Sequence, residues 1–181
     1  ISGQKVIIVR VYPAEDAAVL SRITVNGTPN QMFINQERLV VFYESFSDAE
    51  TKTFISVYDI TDKKNPSLKR EIAVDGSYFS SRMIGDYVYA VTTAGAWVIN
   101  GEVELPKTYL GTEVKAKPAT EIFHSEIADC GYLYATIASA NVQEDSQEPT
   151  EESIATGYTT NSYASLENIY LTMDEGDKTV I

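Results

Sequence analysis

The side chains most able to do chemistry lie in "FHSEIADC", residues 123–130, where the single histidine His124 is followed by Ser125, Glu126, Asp129 and the single cysteine Cys130. A Cys/His pair suggests a nucleophile with its base, or two zinc ligands. Zinc needs about four ligands, and the chain has no second Cys or His. No family signature surrounds the pair, so the segment reads as an ordinary loop. The run "QEDSQEPTEES" (143–153) holds five carboxylates. A calcium loop alternates oxygen ligands around a bending Gly; this run has no Gly and contains Pro149, so a solvated turn is expected, with weak Ca²⁺ binding as the alternative. "DEGD" (174–177) reads as a hairpin turn, and Asp59 and Asp62 as turn residues that accept backbone N–H bonds. No catalytic, metal or cofactor-binding residue is assigned.

These residues must be positioned by the surrounding elements, and those recur. "TVNGTPNQMFINQERLVVF" (24–42) and "AVDGSYFSSRMIGDYVYAV" (73–91) align at an offset of 49, so that Val25-Asn26-Gly27 meets Val74-Asp75-Gly76. "IATGYTTNSYASLENIYLT" (154–172) follows at an offset of 81 from the second, and Asn168-Ile169-Tyr170-Leu171 meets Tyr87-Val88-Tyr89-Ala90 without a gap. Each copy is preceded by a strand, turn, strand element, clearest in "TFISVYDITDKKNPSLKREIAV" (53–74), where side chains alternate with a period of two. The unit is four short strands in 49 residues with no helical periodicity. A four-stranded repeat of roughly 40–50 residues is the signature of a β-propeller blade. The expected fold is therefore all-β, a partial β-propeller of four-stranded antiparallel blades. It has about three blades' worth of strands, divided as 1–26, 27–75, 76–156 and 157–181. The 32 extra residues between the second and third copies fall within the insertion at about 94–131. They contain Trp97 and two prolines and read as a long surface loop with a small hydrophobic patch, or as a lid or partner-binding loop.

Arg82 stands mid-strand in an innermost strand, beside Ser80 and Ser81. An unpaired buried charge is costly, so Arg82 is expected either to pair with an acid of the neighbouring blade or to line the axis. Phe33 and Tyr163 occupy the corresponding positions of the other copies, which excludes a symmetric ring of arginines. "NGT" (26–28) matches a glycosylation sequon, although its role as a strand-linking turn is sufficient to explain it.

Composition sets the outer bounds. A chain of 181 residues that is 44% hydrophobic, with twelve Tyr, can bury one domain core. A net charge of −12 opposes phosphate backbones, so nucleic acid is not expected as a partner. One cysteine precludes an intrachain disulfide. No apolar run approaches the roughly 20 residues that span a bilayer, and no signal peptide is visible. The chain opens at Ile1 within a strand-like segment, as expected of a piece cut from a longer polypeptide.

"ISVYDITDKKNPSLKREIAVDGSYFSSRMIGDYVYAVTT" (55–93) resembles the repeat of the prokaryotic secreted β-propeller domain family, distantly related to WD repeats, with "DITDKKNP" similar to LVIVD-type surface repeats. "ENIYLT" (167–172) resembles the matching strand of a following blade. The resemblance implies an exported or cell-surface protein of bacteria or archaea, with no known enzymatic activity and no established ligand set. The expected function is a non-enzymatic module for protein or carbohydrate binding or for scaffolding. The remainder of a longer polypeptide, or a second copy, would complete the ring. The alternative is a propeller hydrolase or lyase acting on extracellular polymer, which would gather carboxylates or a metal at the axis.

Overall fold

In the computed structural model, residues 3–47, 50–124, 132–175 and 178–180 are described. The first sheet pairs β1 (Lys5–Arg10) with β2 (Ala18–Thr24). The second is a meander of β3 (Thr28–Asn35), β4 (Arg38–Ser47), β5 (Glu50–Asp59) and β6 (Ser67–Asp75). The third begins with β7 (Ser77–Ile84) and β8 (Tyr87–Gly95). After an excursion through β9 (Val98–Ile99), β10 (Glu102–Val103), β11 (Lys107–Leu110), β12 (Glu113–Ala116) and β13 (Phe123–His124), it continues with β14 (Leu133–Asn141) and β15 (Thr150–Thr156). The fourth consists of β16 (Thr159–Ala164), β17 (Ile169–Glu175) and β18 (Lys178–Val180). Among the described residues the sheets are antiparallel apart from the short β13–β15 pairing, and they do not join into a closed ring.

The repeat is preserved in register. Phe33 faces Val40, Arg82 faces Tyr89 and Tyr163 faces Tyr170, each at the offset found in the sequence. The irregularities recur as well: the first strand of each copy bulges between Pro29 and Gln31, between Tyr78 and Ser80, and between Thr159 and Asn161. A bulge leaves one residue unpaired and increases local twist, so three bulges at one aligned position bend three strands alike.

Alternation then builds the core. Val40, Phe42, Ile55, Val57, Ile72 and Val74 on one face of the second sheet pack against Val88, Ala90, Ala138, Ala140 and Val142 of the third. The opposite face of the second sheet presents Leu39, Val41, Tyr43, Tyr58 and Ile60 to Val6, Ile23 and Val25 of the first. The second sheet is thus apolar on both faces and is buried only by having a neighbour on each side. Each fully buried Val, Ile or Phe contributes about 1.5–3 kcal/mol. Glu71 is the polar member of that second interface; Tyr43 OH and Ser56 Oγ both donate to its Oε2, at 2.9 and 2.6 Å.

The described part of the 94–131 insertion, residues 94–124, does not form a loose surface loop. β11 adds to the outer edge of the second sheet, pairing Thr108 with Val74 and Leu110 with Ile72, and β12 adds beyond it. β13 runs parallel to β15 at the outer edge of the third sheet. The physical reason is the edge itself: an outer strand exposes unpaired N–H and C=O groups, and the excursion covers part of each edge. The run 143–153 is likewise only partly a turn, since Thr150–Thr156 is strand β15.

Candidate functional site

The crossing from β6 to β7 passes through Asp75-Gly76 and is held from three sides. Gly76 N–H donates to Thr51 O at 2.9 Å, Thr53 Oγ1 donates to Gly76 O at 2.9 Å, and Thr92 Oγ1 donates to Asp75 O at 2.9 Å. Gly76 has φ +102, and a Cβ there would stand 2.6 Å from Thr93 O. Only glycine suits both conditions.

Above the crossing stands the β9–β10 hairpin. Asn100 and Gly101 have φ of 53 and 87, the two positive values of a type I′ turn. At its base Glu104 N–H donates to Trp97 O at 3.2 Å, which sets Trp97 and Glu104 side by side. The Trp97 indole lies on Gly95, where a Cβ would overlap its Nε1 and Cε2. Crossing and hairpin enclose a cleft of about 240 Å³, lined among others by Thr51, Asp75, Ser77, Trp97, Lys107 and Tyr134. Trp97 is 68% exposed.

The floor of the cleft is charged but internally committed. Asp75 Oδ2 accepts the Lys107 backbone N–H at 3.0 Å, while Oδ1 is buried without a hydrogen bond. Burial pushes the Asp75 carboxyl up, against the pull of Tyr109 and Lys107. Lys52, opposite Asp75 in register, sits 4.1 Å from the Tyr109 ring centroid and 3.3 Å from Glu50. Burial works against its charge, yet Tyr109 and Glu50 hold its pKa above the usual lysine value. On the other side of the strand Thr108 Oγ1 donates to Glu151 Oε2 of the third sheet. Burial raises the Glu151 carboxyl, with Lys117 opposing. Lys117 Nζ donates to Glu151 O at 2.9 Å and to Glu152 Oε2 at 3.3 Å. The excursion therefore staples the outer strands of two sheets together and holds the cleft walls in place.

Arg82, the residue singled out from sequence, does not reach the cleft. It is exposed, and its Nη1 donates to its own neighbour's carbonyl, Ser81 O, at 2.7 Å. Among the described residues it has no acidic partner in a neighbouring sheet; the contact between the third and fourth sheets is made instead by Ser80 Oγ and Ser162 Oγ at 2.6 Å. Its aligned counterparts differ in setting: Phe33 packs edge-on against Phe42 and Tyr163 is exposed. His124 is an exposed residue of β13, while Ser125, Glu126, Asp129 and Cys130 lie outside the described residues. Asp59 Oδ1 and Asp62 Oδ1 accept the N–H groups of Thr61 and Lys64, both at 2.9 Å, as turn caps. In the acidic run Asp145 is paired with Arg38 at 3.0 Å and Glu148 with Lys115 at 2.6 Å. Of "DEGD", Asp174 and Glu175 end β17, and residues 176–177 lie outside the described residues.

The residues that sequence reasoning did not assign are Gly95, Trp97, Glu104 and Lys107. One signal was present: "VINGEV" places Asn-Gly between two short segments that each carry valine, a hairpin sign. Nothing local, however, shows that the hairpin folds back over Asp75-Gly76. Among the described residues no helix is long and apolar enough to cross a membrane.

A family model described as "Beta propeller domain" matches residues 1–180. No curated protein and no solved structure matches the chain.

Proposed function

This chain belongs to the beta propeller domain family, and on that premise we propose that it is a non-enzymatic binding module, secreted or displayed at a cell surface. The observation that carries this reading is the cleft over Asp75-Gly76, with an exposed tryptophan at its rim and walls held by hydrogen bonds. Concave sites with a few converging polar groups are the usual places of ligand binding. Its polar groups already serve the fold: the partly buried Asp75 accepts the Lys107 N–H and the exposed Glu50 pairs with Lys52. The net charge of −12 suits an extracellular setting. Further blades or a second copy would cover the exposed apolar residues of the end sheets, Val9 and Val19 in the first, Tyr163 and Tyr170 in the fourth.

The test is to incubate the protein with extracellular polysaccharides and with peptides, reading binding and product release in parallel. Trp97-dependent binding without turnover is expected. Turnover lost on substitution of Asp75 or Glu104 would establish the hydrolase or lyase instead. Antibody labelling of intact source cells checks the location.

A further inference from the structure

The chemistry of the cleft goes further than binding in general, and what it adds rests on the reading above. We propose that the cleft is a carbohydrate subsite that receives one neutral pyranose ring on the Trp97 indole. The indole is seated on Gly95, so its plane is fixed by backbone rather than by a movable side chain. It is 68% exposed, which leaves a flat apolar surface facing water at the rim of a polar cleft. A pyranose has the matching anatomy, with C–H groups on its flat faces and hydroxyls around its edge. Every hydroxyl both donates and accepts, so its site must offer both. Thr51, Ser77 and Tyr134 provide groups that do either, Glu104 accepts and Lys107 donates. The lining carboxylates Glu50, Asp75 and Glu104 outnumber Lys107 and so oppose an acidic ligand. At about 240 Å³ the cleft is smaller than the roughly 300–1,000 Å³ of sites for drug-sized ligands, which suits a single ring. The surplus of carboxylates in the chain selects against acidic sugars.

Trp97 is the only tryptophan, so its emission reports on this cleft alone. The probes are cellotetraose, chitotetraose and mannotetraose, with an oligogalacturonate and a Val/Ile-rich peptide as comparisons. At least one neutral oligosaccharide is expected to shift the emission to the blue and halve its quenching by iodide, roughly, with a Kd of about 1 mM, fitting one ring and a few hydrogen bonds. The oligogalacturonate leaves the emission unchanged. Gly95→Ala keeps the tryptophan but displaces it, and weakens binding by about tenfold or more at unchanged thermal stability. Glu104→Gln, an exposed change with no demand on folding, weakens it roughly threefold or more. Emission unmoved by all three neutral oligosaccharides, or full binding by both variants, overturns the proposal. A shift with the peptide alone removes the pyranose assignment and leaves the binding module standing; no shift with any probe removes both.

Discussion

Thr108 and Glu151 belong to different sheets, 43 residues apart in the chain, and the hydroxyl of one donates to the carboxylate of the other. With Lys117 they make the segment around β11 and β12 a staple between two outer strands. Lys117→Met removes the ammonium that serves Glu151 O and Glu152. The loss is expected to cost about 1–3 kcal/mol, with faster amide exchange in β11 and β12 and unchanged exchange in β4 and β5. Uniform exchange across all strands would show that the staple is not a separate unit.

Asp75 and Glu151 yield a prediction about pH. Burial raises both carboxyl pKa values, so the folded chain retains protons that the unfolded chain has released. Their contribution is present at acid pH, below the unfolded carboxylate pKa values of about 4, and is lost as pH rises through the folded ones. Asp75→Asn and Glu151→Gln should each raise Tm at neutral pH, by about 2–4 °C for a gain of about 1 kcal/mol. The advantage should vanish below about pH 4. Melting curves across pH measure this, and a gap that widens in acid contradicts it.

Gly76 and Gly85 both have positive φ, but only Gly76 is crowded. Gly85→Ala should cost about 1–2 kcal/mol for the left-handed backbone alone. Gly76→Ala adds a clash with Thr93 O and should cost at least about 3 kcal/mol. Denaturant titration of the two variants compares them directly; equal losses would mean that the crossing yields.

Arg70 is 5% exposed, and none of its three guanidinium nitrogens has a hydrogen-bond partner. Burial lowers its pKa, while Asp145 and Glu148 act in the other direction. A hydrophobic residue in place of a buried ion is often neutral or stabilising. Arg70→Met is therefore expected to change stability by between about 0 and +3 kcal/mol. Asp145→Asn should lower stability, since Arg38 and Arg70 would lose their shared counter-charge. A destabilised Arg70→Met would mean that the guanidinium has an acceptor in solution.

What the sequence determined by itself is the periodic part. Alternating side chains, the repeats at offsets of 49 and 81, and the turn residues gave the strands, the all-β class and the antiparallel four-strand unit. These are local or repeated signals, set by the two-residue period of a strand and by the φ demands of turns, and they are readable one segment at a time. The tertiary structure decided which edges and faces meet. The 94–131 insertion has no repeat partner, and the placement of its strands β11 and β13 depends on the open edges of β6 and β15, which no local pattern reveals. The same holds for Trp97 over Gly95, which becomes a site only when the hairpin folds back on the crossing. Arg82 shows the converse: its charge stands out in the sequence, yet its guanidinium is held by the carbonyl of Ser81, while the fourth sheet meets the third at Ser80 through Ser162.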